Sequence, residues 1–287
     1  MSAVAIAEHR RGRLRWLAAG LLERRGVRHG FTQRAGGASR GAFSSLNFSS
    51  REGDVPARVT DNWRRLEAAA NLPARGWALS SQVHGARVER IVGGGPACHH
   101  RRNHPEADGM ATERPGVILG VLTADCLPVV LALPGATAVA IAHAGWRGTL
   151  EGIVAATVRE LCALSGAAPG DVVAALGPAI GGCCYQVGDE VREAFVTRWG
   201  AAHARRILKR SDPWRLDLQA ANLIQLRETG VRAPNTAALP LCTSCRPDLF
   251  FSFRRDGPRS GRMLSFVTAA EKRPSAALDS APLPAAY

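Results

Sequence analysis

Three residues of this chain stand where an apolar run gives way to a loop, and each carries an atom that can bind metal or move a proton. Cys126 ends Thr123-Ala124-Asp125-Cys126, directly after the apolar run Gly116–Leu122. His143 opens His143-Ala144-Gly145-Trp146-Arg147-Gly148 after Val139–Ala142, and His84 lies in Ser81-Gln82-Val83-His84-Gly85. One thiol and two imidazoles suit a borderline-soft ion such as Zn2+. Three protein ligands leave a fourth position open, the arrangement in which zinc-bound water is acidified to a pKa of about 7. Spacing alone keeps other readings alive. A strand-end histidine also serves as a hydrogen-bonded structural residue, and a buried cysteine as a small hydrophobe. Cys126 with His143 or His84 would also make a nucleophile–base pair for amide hydrolysis.

Two glycine-rich turns each carry an arginine. Gly145 and Gly148 flank Arg147 where a helix should begin, a place where free N–H groups and a guanidinium attract anions. Arg34 lies in His29-Gly30-Phe31-Thr32-Gln33-Arg34-Ala35-Gly36-Gly37. Of the remaining cysteines, Cys242-Thr243-Ser244-Cys245 is one CxxC, and a structural zinc needs a second pair. Cys183-Cys184 supplies it on paper, but adjacent thiols rarely chelate one ion well, so packing is the reading taken here. Cys98, His99, His100 and His104 lie in the charged, glycine-led segment Gly93–His104, read as a solvated loop and an insertion.

The elements that position these groups alternate between strand and helix. Val117–Thr123, Val129–Leu133 and Val139–Ala142 are aliphatic runs of strand length, and Asp171–Leu176 is a fourth. Ile153, Val154, Thr157, Val158 and Leu161 form one stripe of a helix expected over Thr149–Leu164 and ended by Gly166. A second helix is expected over Leu218–Glu228, stopped by Gly230. Mixed strands and helices without a composition shift give an α/β (α+β) fold in a single domain. The domain is expected over residues 13–268, with a flexible N-terminus (1–12) and a disordered Ala/Pro/Ser-rich tail (269–287).

Composition narrows the function. The formal charge is +13, yet all but two of the 37 basic residues are arginine, scattered in short pairs with no basic helix or aromatic-interleaved motif. No specific nucleic-acid partner is therefore expected. The longest apolar tract, Val117–Leu133, is broken by Asp125 and Pro128, whereas a membrane span needs about 20 apolar residues. With no signal-peptide pattern at the N-terminus, a cytoplasmic location is expected and the seven cysteines read as thiols or ligands rather than disulfides. Multicopper oxidases need roughly ten histidine ligands, largely in H-x-H pairs; this chain has eight histidines and no such pair.

These residues also carry a resemblance. HGFTQRAGG (29–37), Ser45-Leu46-Asn47, Gly53-Asp54, Asn62, Gln82–Gly85 and Ala107-Asp108-Gly109 are similar to segments of the YfiH/YlmD laccase-domain family. LTADCLP (122–128), AHAGWRG (142–148), LGPAIGGCCYQV (176–187), Cys242-Thr243 and FFSFRRDG (250–257) continue the match. The family is known variously as polyphenol oxidases, peptidoglycan-editing factors and purine nucleoside phosphorylases. The resemblance implies a layered αββα sandwich like that of cytotoxic necrotising factor, and zinc on His84, Cys126 and His143, with copper as the alternative ion. It implies phosphorolysis of adenosine, inosine and methylthioadenosine, with adenosine deamination. Arg34, Asn47 and Arg147 become candidates for phosphate or ribose contacts, and Asp125 for orientation or proton transfer beside the metal. The partners would be a purine nucleoside and phosphate, with the chain a monomer or homodimer. Editing of peptidoglycan precursors by a Cys/His amide hydrolase and copper-dependent phenol oxidation are the alternatives. Two features depart from the family: Ser49-Ser50-Arg51 stands where a glycine is usual, and Gly93–His104 is longer than usual.

Overall fold

The computed structural model describes residues 6–72, 76–92 and 104–270. The chain begins β1 (Ile6–Arg11), β2 (Leu14–Ala19), α1 (Gly20–Arg24), β3 (Arg28–Thr32), α2 (Pro56–Ala70), β4 (Trp77–Ala78) and β5 (Val88–Arg90). Its centre carries β6 (Gly109–Thr112), β7 (Ile118–Thr123), β8 (Leu127–Ala132), β9 (Val139–Ala144), α3 (Trp146–Glu151), α4 (Ile153–Ser165) and β10 (Val173–Leu176). Then come β11 (Gln186–Val187), α5 (Asp189–Ile207), β12 (Leu208–Lys209), β13 (Trp214–Leu216) and α6 (Leu218–Glu228). The described residues close with β14 (Thr236–Ala238), α7 (Phe253–Asp256) and β15 (Met263–Thr268).

Two mixed six-stranded sheets form, in the orders β1-β2-β3-β15-β7-β4 and β14-β10-β8-β9-β6-β5, beside a small sheet β11-β13-β12. Each strand's alternation decides what it packs against. Val139 and Ile141 of β9 join Leu119 and Val121 of β7 and Val267 of β15 in the core between the large sheets. Ala140 and Ala142 of β9 face the other way, onto Ile153, Val154, Val158 and Leu161 of α4 and buried residues of α5 and α6. On the far side, Ile118 and Leu264 pack with Trp63 and Leu66 of α2. Helix, sheet, sheet, helix is the layering that results. At roughly 1.5–3 kcal/mol per buried aliphatic side chain, these faces supply the main driving force of folding.

The apolar runs read as strands are strands, with ends shifted by one or two residues. The helix expected over Thr149–Leu164 is two helices, α3 and α4, because Gly152 between them takes φ 92°. A left-handed residue cannot continue an α-helix, and glycine adopts it without a Cβ clash. Within the segment expected as a flexible N-terminus (1–12), Ile6–Arg11 pair antiparallel with Leu14–Ala19 across the Gly12 turn. His9 stacking on Trp16 at 5.1 Å shows how a polar strand gains a side-chain anchor. At the other end, Ala269 and Ala270 donate to the carbonyls of Val117 and Ala136. The rest of the expected tail, and Gly93–Asn103 of the expected loop with Cys98, His99 and His100, lie outside the described residues.

Candidate metal centre and cavity

Strand register brings the three candidate ligands together. β7 belongs to one large sheet and β8 to the other, and the chain crosses between them in the three residues Ala124-Asp125-Cys126. β8 and β9 pair Pro128 with His143 and Leu127 with Ala144, so Cys126 falls beside Gly145 at the same end of the ladder. β6 and β9 pair Gly109 with Ala142, which sets Asp108 beside His143, whose backbone N–H donates to the Asp108 carbonyl at 2.7 Å. His84 arrives on the loop between β4 and β5 with φ 65°. The ligand atoms of His84, Cys126 and His143 all lie within 4.8 Å of one another. The two rings meet edge to face at 4.9 Å. Tetrahedral zinc with Zn–N of about 2.1 Å and Zn–S of about 2.3 Å puts its donors roughly 3.4–3.6 Å apart, so this donor set fits such an ion by type and spacing.

Asp108 organises the site, a role that the sequence reading did not give it. Its carboxylate is fully buried. Oδ1 accepts His143 Nδ1–H at 2.8 Å and the His84 backbone N–H at 3.0 Å. Oδ2 accepts the backbone N–H groups of Gly85 at 2.8 Å and Val83 at 3.1 Å. One side chain thus holds the His84 loop in its left-handed turn and fixes the His143 tautomer, leaving Nε2 for a ligand. Burial pushes the Asp108 carboxyl up, but the bonds from His143, Gly85 and His84 hold it below the ordinary carboxylate value. Burial likewise pushes the Cys126 thiol up, and the charge and hydrogen bond of His143 with the hydrogen bond of His84 bring it down to about 6. His143 is pulled down by burial and raised to about 9 by Cys126 and Asp108. The outcome is a thiolate–imidazolium pair, in which a bound cation would take the place of the proton on His143 Nε2.

The three ligands open into a cavity of about 810 Å3 that Arg254 and Arg262 also line. Arg262 reaches Glu52 at 3.0 Å and carries the Phe253 ring at 5.9 Å from its guanidinium carbon. Arg254 lies over the Tyr185 ring at 5.1 Å and donates to the Gln186 carbonyl at 2.7 Å. The buried Glu52 Oε2 and Ser80 Oγ, on residues lining the same cavity, have no hydrogen-bond partner among the described residues. Arg51 and His104 line it too, so both segments that depart from the family pattern reach the cavity wall.

The anion-contact candidates are distributed differently from expectation. Arg34 is outside the cavity lining: its guanidinium donates to the carbonyls of Ser44 at 3.0 Å and Pro247 at 2.9 Å, and lies over Phe251. Asn47 is fully buried, with Nδ2 on Ser49 O and Asp54 and Oδ1 accepting from Ser49 and Arg262. Both tie loops together: Asn47 places its amide N–H groups on Ser49 O and Asp54, and Arg34 commits Nε–H and one Nη1–H to carbonyls. Arg147 is exposed and stacks on Trp146 at 4.5 Å. Asp125 does line the cavity, at φ 96°, but Oδ1 accepts Thr243 Oγ1–H at 2.6 Å and Oδ2 the Arg254 backbone N–H at 2.7 Å. That geometry ties the Cys126 turn to Thr243 and to the α7 backbone, with one hydrogen bond accepted by each carboxylate oxygen. Besides Arg51, the arginines that reach the cavity are Arg254 and Arg262, in FFSFRRDG and just before β15, far along the chain from the three ligands, where only the chain's return to the site reveals them.

The fold and site now have comparisons. The family described as "Multi-copper polyphenol oxidoreductase laccase" matches residues 28–270. The curated "Purine nucleoside phosphorylase YlmD" of Geobacillus stearothermophilus is 37% identical over 270 residues, covering 90% of this chain and 95% of its own length. "Purine nucleoside phosphorylase YfiH" of Escherichia coli is 38% identical over 243 residues, covering 85% and 94%. The crystal structure of YlmD from Geobacillus stearothermophilus superposes with a TM-score of 0.82 at 34% identity, covering 93% of this chain and all of that one. With the family matched over most of its length and the fold shared, this chain belongs to the YfiH/YlmD laccase-like family.

Proposed function

We propose that the chain is a metal-dependent purine nucleoside phosphorylase, breaking the N-glycosidic bond with phosphate to give free base and ribose 1-phosphate. The observation that carries this is one cavity lined both by the His84–Cys126–His143 group and by Arg254 and Arg262. Phosphorolysis needs an anion held beside the sugar and stabilisation of a cation-like ribosyl transition state, and arginines on the cavity wall could hold phosphate for both. Tyr185 and Phe253 add aromatic faces on which a purine can lie. Relatives in the family carry the same name. Adenosine, inosine and methylthioadenosine are the proposed substrates, in keeping with a cavity roomy enough for a nucleoside and phosphate together.

Zinc is the proposed ion, held by His84 Nε2, His143 Nε2 and Cys126 Sγ, and it would supply a Lewis acid or an acidified water. With that water, adenosine deamination at the purine C6 is a second proposed activity. Asp108 orients His143 and the His84 loop throughout, and Asp125 holds the Cys126 turn against Thr243 and Arg254.

One observation favours a rival reading. Asp108, His143 and Cys126 form an acid–base–thiol relay of the kind used by cysteine hydrolases. His84 counts against it, because a relay of three groups has no use for a second imidazole held in a left-handed turn. The test is incubation of the purified chain with adenosine or inosine, with and without phosphate, following base and ribose 1-phosphate by chromatography. Phosphate-dependent base release, lost in His84→Ala and Cys126→Ala, supports the phosphorylase. No turnover by a folded, zinc-loaded protein, with cleavage of muropeptide amides instead, replaces it with the hydrolase.

A further inference from the structure

We propose that Cys183, Cys184, Cys242 and Cys245 form a second, structural site that binds Zn2+ through four thiolates. Their Sγ atoms all lie within 4.8 Å of one another. Cys245 Sγ stands 3.3 Å from Cys184 Sγ and 3.5 Å from Cys183 Sγ. A disulfide requires about 2.05 Å. Zinc with Zn–S bonds of about 2.3 Å spaces four sulfurs about 3.8 Å apart, inside the observed range. An all-sulfur tetrahedral set selects zinc over harder ions.

The backbone explains why two adjacent cysteines can share one ion here. In an extended chain neighbouring side chains point apart. Residues 181–185 instead curl, with the N–H groups of Cys184 and Tyr185 both donating to the Gly181 carbonyl at 2.9 Å, and both thiols turn toward Cys245. The two segments are laced together beside the cluster: Ala179 pairs with Cys242, Ala179 N–H donates to Leu241 O and Thr243 N–H donates to Ala179 O.

The packing reading fails on exposure. A thiol kept as a small hydrophobe is buried, whereas Cys183 and Cys245 are exposed and the other two only half-buried. The surroundings also suit a centre that would carry two negative charges. Gly181 N–H donates to Cys242 Sγ at 3.3 Å. Arg215 donates to the Cys183 carbonyl, and Arg255 donates to those of Thr243 and Ser244.

The site pins the cavity wall. Ile180 and Tyr185 line the cavity on one stapled segment, and Ile180 N–H donates to the Asp125 carbonyl at 2.9 Å. Thr243 of the other segment holds the Asp125 carboxylate, next to Cys126. The four thiolates therefore fix the loop that presents the ligand Cys126 without touching substrate.

The experiment is zinc stoichiometry of the full chain, prepared with reductant and zinc, desalted and measured by plasma mass spectrometry. Two zinc ions per chain are expected in the wild type and one in Cys242→Ser/Cys245→Ser. Cys126→Ser, which leaves the cluster intact, should keep one zinc. After cobalt exchange it should show thiolate-to-cobalt charge transfer and tetrahedral visible bands. Should the double variant fail to fold, the cobalt spectrum of Cys126→Ser decides alone. One zinc in the wild type that survives Cys126→Ser supports this site and fails the His84–Cys126–His143 site. A wild-type zinc lost entirely in Cys126→Ser, or a disulfide among the four cysteines in the reduced preparation, overturns the proposal.

Discussion

Asp108→Asn is the substitution that most sharply separates positioning from chemistry at this site. It keeps shape and volume but replaces one acceptor oxygen by an NH2. Each carboxylate oxygen serves two donors, His143 Nδ1–H with His84 N–H on Oδ1, and Gly85 N–H with Val83 N–H on Oδ2. Whichever way the amide turns, two buried N–H donors lose a charged acceptor and face an N–H instead. Hydrogen bonds to charged groups are worth about 1.5–3 kcal/mol each, so the loss is about 3–6 kcal/mol, reduced where the His84 loop relaxes into water. Against a total stability of about 5–15 kcal/mol this lowers Tm by on the order of 10 °C without unfolding the chain. Freed from its latch, the His84 loop no longer presents its ring, and zinc affinity should fall about 10–100-fold. Competition against a chromogenic chelator reads the affinity, and hydrogen exchange at Val83, His84 and Gly85 reads the latch. A variant with the wild-type affinity and unchanged exchange would refute the role given to Asp108.

Four further outcomes follow from the geometry. Gly145→Ala would place a Cβ 3.0 Å from His84 Cδ2 and 3.1 Å from Cys126 Sγ, so metal affinity should drop by on the order of tenfold with the fold retained, as measured by chelator competition. Gly36→Ala combines φ 96° with a Cβ 2.4 Å from Leu14 Cα, and denaturant unfolding should show a loss of about 2–5 kcal/mol. Arg34→Met should cost about 1–3 kcal/mol of stability by freeing the Ser44 and Pro247 carbonyls, while the KM for phosphate stays at the wild-type value. His29 is buried as a neutral ring, Nδ1–H to Val27 O and Nε2 accepting Ala19 N–H, and burial lowers its pKa despite the bond to Val27. The unfolded chain then binds more protons, so this contribution is complete above about pH 6.5 and shrinks as pH falls; urea titrations should show that slope flattened in His29→Gln.

Much of the framework was legible in the chain. β7, β8 and β9 are aliphatic runs with a turn or reactive residue at each end, and α6 has the bounds its spacing predicts. His84, Cys126 and His143 stood out because a polar donor directly after a buried strand is placed at a ligand-bearing edge. What stayed hidden depends on contacts between distant segments. Asp108 reads as an ordinary turn aspartate until the β6–β9 register sets it beside His143. Arg254 and Arg262 are two of many arginines, and only the return of the chain through β15 brings them to the cavity. For Arg34 and Asn47 the sequence does not show their loop-tying contacts, since a glycine-rich loop with an arginine has the same local signature whether it faces an anion or its own carbonyls. Cys183-Cys184 and Cys242/Cys245 are 58 or more residues apart, and adjacency argued against shared ligation until the turn at 181–185 was seen. The strand β1 was missed because its burial is slight and its partner β2, not its own composition, orders it.

The most direct test of the phosphorylase reading is phosphorus NMR of the chain with inosine and phosphate, before and after chelation and after zinc is restored. A ribose 1-phosphate resonance that grows with the untreated protein, stops with chelator and resumes with zinc is the predicted result. Undiminished ribose 1-phosphate formation by fully metal-free protein, or none by the zinc-restored protein, would contradict it.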